Sequence, residues 1–203
     1  MKKTTKSTPK KSTAIQPVVI KDDKITKRIS SAVKRAVKNI PDFPKKGVLF
    51  RDFTPILSNN KLFQQVIDGL YHVGKKFKFD TVIAPESRGF WFAIPLALRA
   101  KASFIPCRKP GKLPRKTLSE SYTLEYGKNT LEIHKEDLKK GSRVLIIDDV
   151  LATGGTIKAI YKLIKKANAI PVGIVTLAEL SFLPGRKVIE EELKVPFYTF
   201  IKY

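Results

Sequence analysis

Four consecutive apolar residues, Val144, Leu145, Ile146 and Ile147, run without interruption into two adjacent acids, Asp148 and Asp149. A short β-branched run of this kind reads as a strand buried on both faces of a sheet, which already demands helices packed above and below it. The small-residue turn Ala152, Thr153, Gly154, Gly155 and Thr156 follows, and Ile157, Ile160, Leu163 and Ile164 then recur at helical spacing. Residues 143–156, RVLIIDDVLATGGT, are therefore expected to form a strand-loop-helix unit. Ligands of such units bind at the carboxyl end of the strand.

The turn suits phosphate capture. Gly154 and Gly155 let the backbone curl with its N–H groups inward, Thr153 and Thr156 add hydroxyl donors, and the helix offers its partly positive N-terminus. Asp148 and Asp149 would repel a phosphate at close range, but they suit sugar hydroxyls, or a cation held directly or through water. The pattern is neither a P-loop, since no Gly-Lys-Ser/Thr follows, nor GxGxxG. A phosphorylated ribose is the ligand this chemistry points to.

The rest of the chain alternates helical and strand patterns. Apolar residues recur at helical spacing over residues 24–39, with Asp22 or Asp23 to cap them and Pro41 to close them, and again over 60–76. Strands are expected at 48–50, 79–84, 102–106, 172–177 and 196–203, and helices at 90–99, 156–169 and 185–193. Residues 119–135 read as a hairpin turning at Gly127, Lys128 and Asn129. This order implies an α/β fold: an open, mostly parallel twisted sheet flanked by helices, with a flexible flap or hood. At 203 residues, one domain over 22–203 is expected, preceded by a disordered basic tail at 1–21 that is rich in Thr, Ser, Lys and Pro and holds no acid.

A net charge of +22 attracts polyanions, but the basic residues are spread along the whole chain rather than gathered in a module that reads DNA or RNA. No specific nucleic-acid partner is expected. A single cysteine, Cys107, precludes an intrachain disulfide, and no apolar stretch approaches the roughly 20 residues of a membrane span. A soluble cytoplasmic protein with no membrane partner is the expectation. His72, His134 and Trp91 have no partners at metal or triad spacing and are read as structural.

The segment DDVLATGGT resembles the phosphoribosyl-pyrophosphate motif of the type I phosphoribosyltransferases. Together with PDFPKKGVLFRDFTPIL at 41–57, ESRGF at 86–90, RKPGKLP at 108–114 and SYTLEYG at 121–127, it makes the chain similar to the adenine phosphoribosyltransferase family from about residue 40 to 203. The resemblance implies transfer of ribose 5-phosphate from phosphoribosyl pyrophosphate to adenine, giving AMP and pyrophosphate, in a Mg2+-dependent homodimer of purine salvage.

It also implies roles for individual residues. Ala152, Thr153, Gly154, Gly155 and Thr156 would hold the 5-phosphate, and Asp148 and Asp149 the ribose hydroxyls. Mg2+ would have no direct protein ligand and would sit on the diphosphate and ribose hydroxyls near those acids. Glu86, Ser87, Arg88, Arg108 and Lys112 would bind pyrophosphate. Phe50 would stack on the base, whose edge backbone groups near Leu49 and Arg51 would read. Glu125 would be the acid-base residue near N7 of adenine. Two alternatives share the donor motif: a related transferase acting on another nucleobase, and a non-catalytic regulator that senses the donor and binds nucleic acid.

Overall fold

Asp23 starts the first helix. Its carboxylate accepts from the backbone N–H groups of Ile25 and Thr26, while the Thr26 hydroxyl accepts from the Asp23 N–H, a reciprocal capping box. The computed structural model describes residues 20–124 and 127–203, so the expected tail as far as residue 19, and Glu125, lie outside the described residues.

Helix α1 (Lys24–Ala36) buries Thr26, Ile29 and Val33 and leaves its lysines and arginines outside. The helical spacing runs on to Asn39, but the helix does not. Val37 turns the chain extended (ψ 127°), and Lys38–Ile40 form strand β1, antiparallel to β2 (Phe50–Asp52). Pro41 supplies a reason, because the residue before a proline is driven out of the helical region. Strand β2 begins two residues after the expected start. The Phe43 N–H donates to the Val48 carbonyl and the Gly47 N–H to Asp42 Oδ1, so residues 42–48 fold into a turn.

Two more helices follow, α2 (Thr54–Leu57) and α3 (Asn60–Gly74), the second capped by the Asn59 side chain. The chain then runs through β3 (Thr81–Pro85), α4 (Arg88–Ala100, with Pro95 inside it), β4 (Ser103–Cys107), a hairpin of β5 (Thr117–Leu124) and β6 (Gly127–His134), β7 (Arg143–Leu151), α5 (Gly155–Lys166) and β8 (Ile170–Glu179). Short helical pieces at Gly185–Lys187 and Val188–Leu193 lead to β9 (Phe197–Lys202). In the hairpin Leu124 already pairs with Gly127, so Gly127, Lys128 and Asn129 belong to β6 and not to the turn.

Five strands pair in parallel in the order β4-β3-β7-β8-β9, with β7 at the centre. Successive side chains of β7 alternate between two cores. Leu145 and Ile147 pack with Leu70, Phe92 and Val175 beneath α1, α3 and α4; Val144 and Ile146 pack with Ile133, Ile160 and Leu163 beneath α5 and the hairpin. All four are fully buried, each contributing roughly 1.5–3 kcal/mol by leaving water. Because the strands run one way, the carboxyl ends of β3, β4 and β7 share one rim. Among the described residues no helix is long and apolar enough to cross a membrane.

Candidate active site

At that rim lies a cavity of about 740 Å³, lined by residues from β2, the β3–α4 turn, β6 and the β7–α5 loop. Asp148 and Asp149, near the carboxyl end of β7, which runs on through Val150 and Leu151 instead of ending at the acids, are 9% and 2% exposed. Burial, then the charge of Asp149, pushes the Asp148 carboxyl well above its ordinary 3.8. Asp149 is also raised by burial, although Arg88 pulls it back. The Asp149 N–H donates to Asp148 Oδ1 at 2.9 Å.

Arg88, the first residue of α4, carries its Nε to 3.1 Å from Asp149 Oδ2. The charges pair, but the N–H is not aimed at the oxygen, and among the described residues that oxygen has no hydrogen-bond partner. A buried carboxylate oxygen with an acceptor position to spare fits an incoming hydroxyl or a hydrated cation. Mg2+ fits this donor set when shared with a substrate. Among the described residues no group of three His, Cys, Asp or Glu side chains is arranged to hold a metal by itself.

Next to the acids, the chain enters α5 through Gly154, at φ +86°, without a side-chain cap. A left-handed residue at this position leaves the first N–H groups of the helix open to an anion. Ala152, Thr153, Gly154 and Thr156 line the cavity. Gly155 instead faces a smaller hollow of about 390 Å³ between the hairpin and α5.

The β3–α4 turn contributes Glu86, Ser87 and Arg88 to the cavity, and the Glu86–Ser87 peptide is cis. Glu86 and Arg88, two residues apart on this turn, take different partners: Arg108 Nε donates to Glu86 Oε2 at 2.6 Å, while Arg88 turns to Asp149. Burial raises the Glu86 carboxyl, but the Arg108 hydrogen bond and the Lys109 N–H outweigh it and hold it below its ordinary 4.5. Arg108 thus lines the cavity, anchored also by a backbone bridge to Glu132 on β6.

Phe50 lines the cavity too, with the Arg88 guanidinium 5.1 Å from its ring centre. Besides Gly155, three more of the expected residues among those described do not line it. Leu49 stands 49% exposed beside it. Arg51 spreads its guanidinium over the Tyr203 ring at 3.8 Å and donates to Asn39 Oδ1, which leaves its backbone, and not its side chain, for the base. Lys112 lies in the 108–116 loop, where its carbonyl accepts from Arg108 Nη1 at 3.2 Å.

Tyr122 was not singled out from sequence, yet it lines both hollows, and its hydroxyl accepts from Thr156 Oγ1 at 3.3 Å. The signal was the alternation of Leu118 and Tyr122, whose partly buried side chains lie on one face of β5 against the α5 core. Asn129 and Thr130, on β6, complete the lining.

A family model described as "Phosphoribosyl transferase domain" matches residues 54–194. The chain is 52% identical over 155 residues to the adenine phosphoribosyltransferase of Kosmotoga olearia, covering 76% of this chain and 91% of that one. In three dimensions it superposes on the crystal structure of adenine phosphoribosyltransferase from Thermoanaerobacter pseudethanolicus with a TM-score of 0.82 at 47% identity, covering 86% of this chain and 99% of that chain. The Saccharomyces cerevisiae enzyme, solved with an imino-altritol bisphosphate and adenine, gives a TM-score of 0.79 at 38% identity, covering 85% and 98%.

Proposed function

The chain belongs to the adenine phosphoribosyltransferases of the phosphoribosyl transferase domain family, and we propose how its residues divide that reaction among themselves. Ribose 5-phosphate passes from phosphoribosyl pyrophosphate to N9 of adenine. The C1–O bond to the diphosphate breaks, the C1–N9 bond forms, the N9 proton leaves, and AMP and pyrophosphate result.

Breaking the C1–O bond builds positive charge on the ribose and negative charge on the departing diphosphate, so the site must stabilise charge more than supply a nucleophile. One observation carries the assignment: a buried acid pair with an unfilled acceptor, Asp149 Oδ2, stands beside the uncapped N-terminus of α5 in the same cavity. The helix end and residues 152–156 hold the 5-phosphate; Asp148 and Asp149 hold the 2- and 3-hydroxyls. Arg88 and Arg108, with the Glu86–Ser87 backbone, receive the diphosphate, and Arg suits that work because its fork matches phosphate oxygens. Lys112 joins them only when the 108–116 loop folds inward, which also excludes the water that would hydrolyse the donor.

Phe50 stacks on the purine, whose edge the backbone near Leu49 and Arg51 reads. A 6-oxo purine reverses donor and acceptor there and leaves buried groups unpaired. Glu125 manages the purine proton. Asp148 and Asp149 would hold Mg2+ through the substrate, and the ion would supply charge neutralisation on the leaving group.

The family relationship also leads us to a homodimer, supported by Ile94 and Leu98, 42% and 77% exposed one turn apart on α4. Light scattering should give twice the chain mass, and Leu98→Glu should lower it. We assign the enzyme to the cytoplasm, where a free, buried Cys107 suits a reducing environment. The test of the whole assignment is AMP formation by purified protein offered adenine, hypoxanthine, guanine and uracil in parallel. Rapid turnover of adenine alone supports it, and no turnover of any base refutes it.

A further inference from the structure

The phosphate-binding turn does not hold its own shape. The carbonyls of Leu151 and Ala152, at its entrance, are each occupied from one side, by the N–H groups of Leu180 at 2.9 Å and Gly185 at 3.0 Å. Gly185 is packed so closely that a Cβ there would meet the Ala152 carbonyl oxygen at 2.2 Å and the Leu151 side chain at 2.8 Å. The second glycine of this contact is Gly154, whose own Cβ would lie 3.1 Å from the Gly185 Cα. Backbone thus meets backbone where the phosphate turn is pressed against the Gly185–Lys187 helical piece, with the Leu151 and Val188 side chains packed beside the contact.

Something must hold the start of that helical piece in place, since even with Val188–Leu193 continuing it the stretch is too short to be stable alone. Arg186 does so. Its Nε donates to Glu179 Oε1 at 2.7 Å, its Nη2 to Glu179 Oε2, and its Nη1 to Glu190 Oε1 at 3.1 Å, while the guanidinium covers the Phe197 ring at 4.9 Å. Glu179 is 2% exposed, and it pairs in register with Leu151 on the neighbouring strand, the residue from which the turn departs. A two-pronged pair has one geometry, so the position of Arg186 fixes that of Gly185.

We propose that Glu179, Arg186 and Gly185 are positioning residues for the donor's 5-phosphate: they touch no substrate, and they set the height at which the backbone N–H groups of the 152–156 turn meet the anion. The inference rests on the assignment of that turn to the 5-phosphate. It predicts a selective defect, because pyrophosphate binds at the Glu86–Arg88 turn, which Glu179 and Arg186 do not contact.

The experiment is calorimetric titration of the full chain with ribose 5-phosphate and, separately, with pyrophosphate and Mg2+, for wild type, Gly185→Ala, Glu179→Gln and Arg186→Lys. Circular dichroism establishes that each variant is folded. The expected result is a loss of ribose 5-phosphate affinity of about tenfold or more in Gly185→Ala and Arg186→Lys, with pyrophosphate affinity within twofold of wild type and KM for the donor raised more than KM for adenine. If Gly185→Ala does not fold, the two ion-pair variants carry the test. Unchanged ribose 5-phosphate affinity in the folded variants overturns the proposal, and so does an equal loss for both ligands, which marks a general structural role. Failure of the assignment itself looks different, because wild type would then bind no ribose 5-phosphate.

Discussion

The guanidinium of Arg88 rests 5.1 Å from the centre of the Phe50 ring. The same side chain reaches Asp149 at 3.1 Å, so one cation spans the surface proposed for the purine and the acid proposed for the ribose. Both contacts are ones a substrate can take over. A diphosphate offers more charge and better forked geometry than Asp149, so on the proposed assignment its arrival should draw Arg88 off both surfaces.

Arg88→Lys keeps the charge and loses the fork. Its kcat/KM for phosphoribosyl pyrophosphate should fall about 100-fold, with a smaller change in KM for adenine. Initial-rate kinetics with each substrate varied in turn checks this; values within twofold of wild type would remove Arg88 from the diphosphate site.

Phe50→Ala should do the reverse. Loss of a stacking surface is expected to raise KM for adenine about tenfold while the donor KM stays within twofold. A rise in both together would mean that the substitution disturbs the β1–β2 pair rather than the base surface alone.

The buried acids make stability depend on pH in a direction that can be worked out. Asp148 and Asp149 have folded-state pKa values above the ordinary 3.8, so the folded protein holds protons that the unfolded chain has released. Stability contributed by the pair therefore falls as pH rises from 3.8 through the raised values, and levels off above them. Asp148→Asn removes that loss. Its melting temperature should exceed that of wild type at about pH 7.5, the gap narrowing towards about pH 4, while AMP formation drops about 100-fold. Thermal melts of the ligand-free proteins across this range decide it, and a less stable variant at neutral pH would contradict it.

Much of this scaffold is legible in the chain because local pattern and tertiary context agree. Residues 144–147 read as a strand covered on both sides, and they alternate between two cores as that reading requires. Where the two disagree, pattern misleads. Ile40 continues the helical spacing of α1, yet it is 38% exposed in a strand, because Pro41 and the pairing with Phe50 override periodicity. Arg108 and Glu86, or Arg186 and Glu179, carry no mark in sequence of their pairing, since each contact depends on how separate elements dock. Nor does sequence show that Tyr203, from the far end of the chain, takes up the Arg51 side chain, which leaves the expected backbone role of Arg51 untouched.

Glu120 tests how the hairpin is held. Its carboxylate, 11% exposed, meets Lys162 at 2.9 Å and Lys166 at 2.6 Å on α5, and those hydrogen bonds hold it below its ordinary 4.5 against the opposing effect of burial. Glu120→Ala should cost about 1 kcal/mol or less overall, because both lysines are half-exposed. Hydrogen exchange should nevertheless accelerate in β5 and not in β7, and uniform acceleration would argue against a separately hinged hairpin.

Removal of Mg2+ with EDTA should reduce AMP formation about 100-fold or more, reversibly. Ribose 5-phosphate binding should survive it, because the grip proposed for the turn at 152–156 uses backbone N–H groups and needs no ion. Full activity in EDTA would dismiss the metal.

A sheet whose five strands all point the same way divides the molecule into two poles. From Arg143 to Asp148 the central strand climbs roughly 17 Å, at about 3.3 Å per residue. At the lower pole the chain merely turns round, as it does at Gly141, where φ is +81°. Insertions, labels or tethers spliced there sit a full strand's length from the reacting atoms, so the enzyme can be lengthened, immobilised or fused at that turn without its chemistry registering the change.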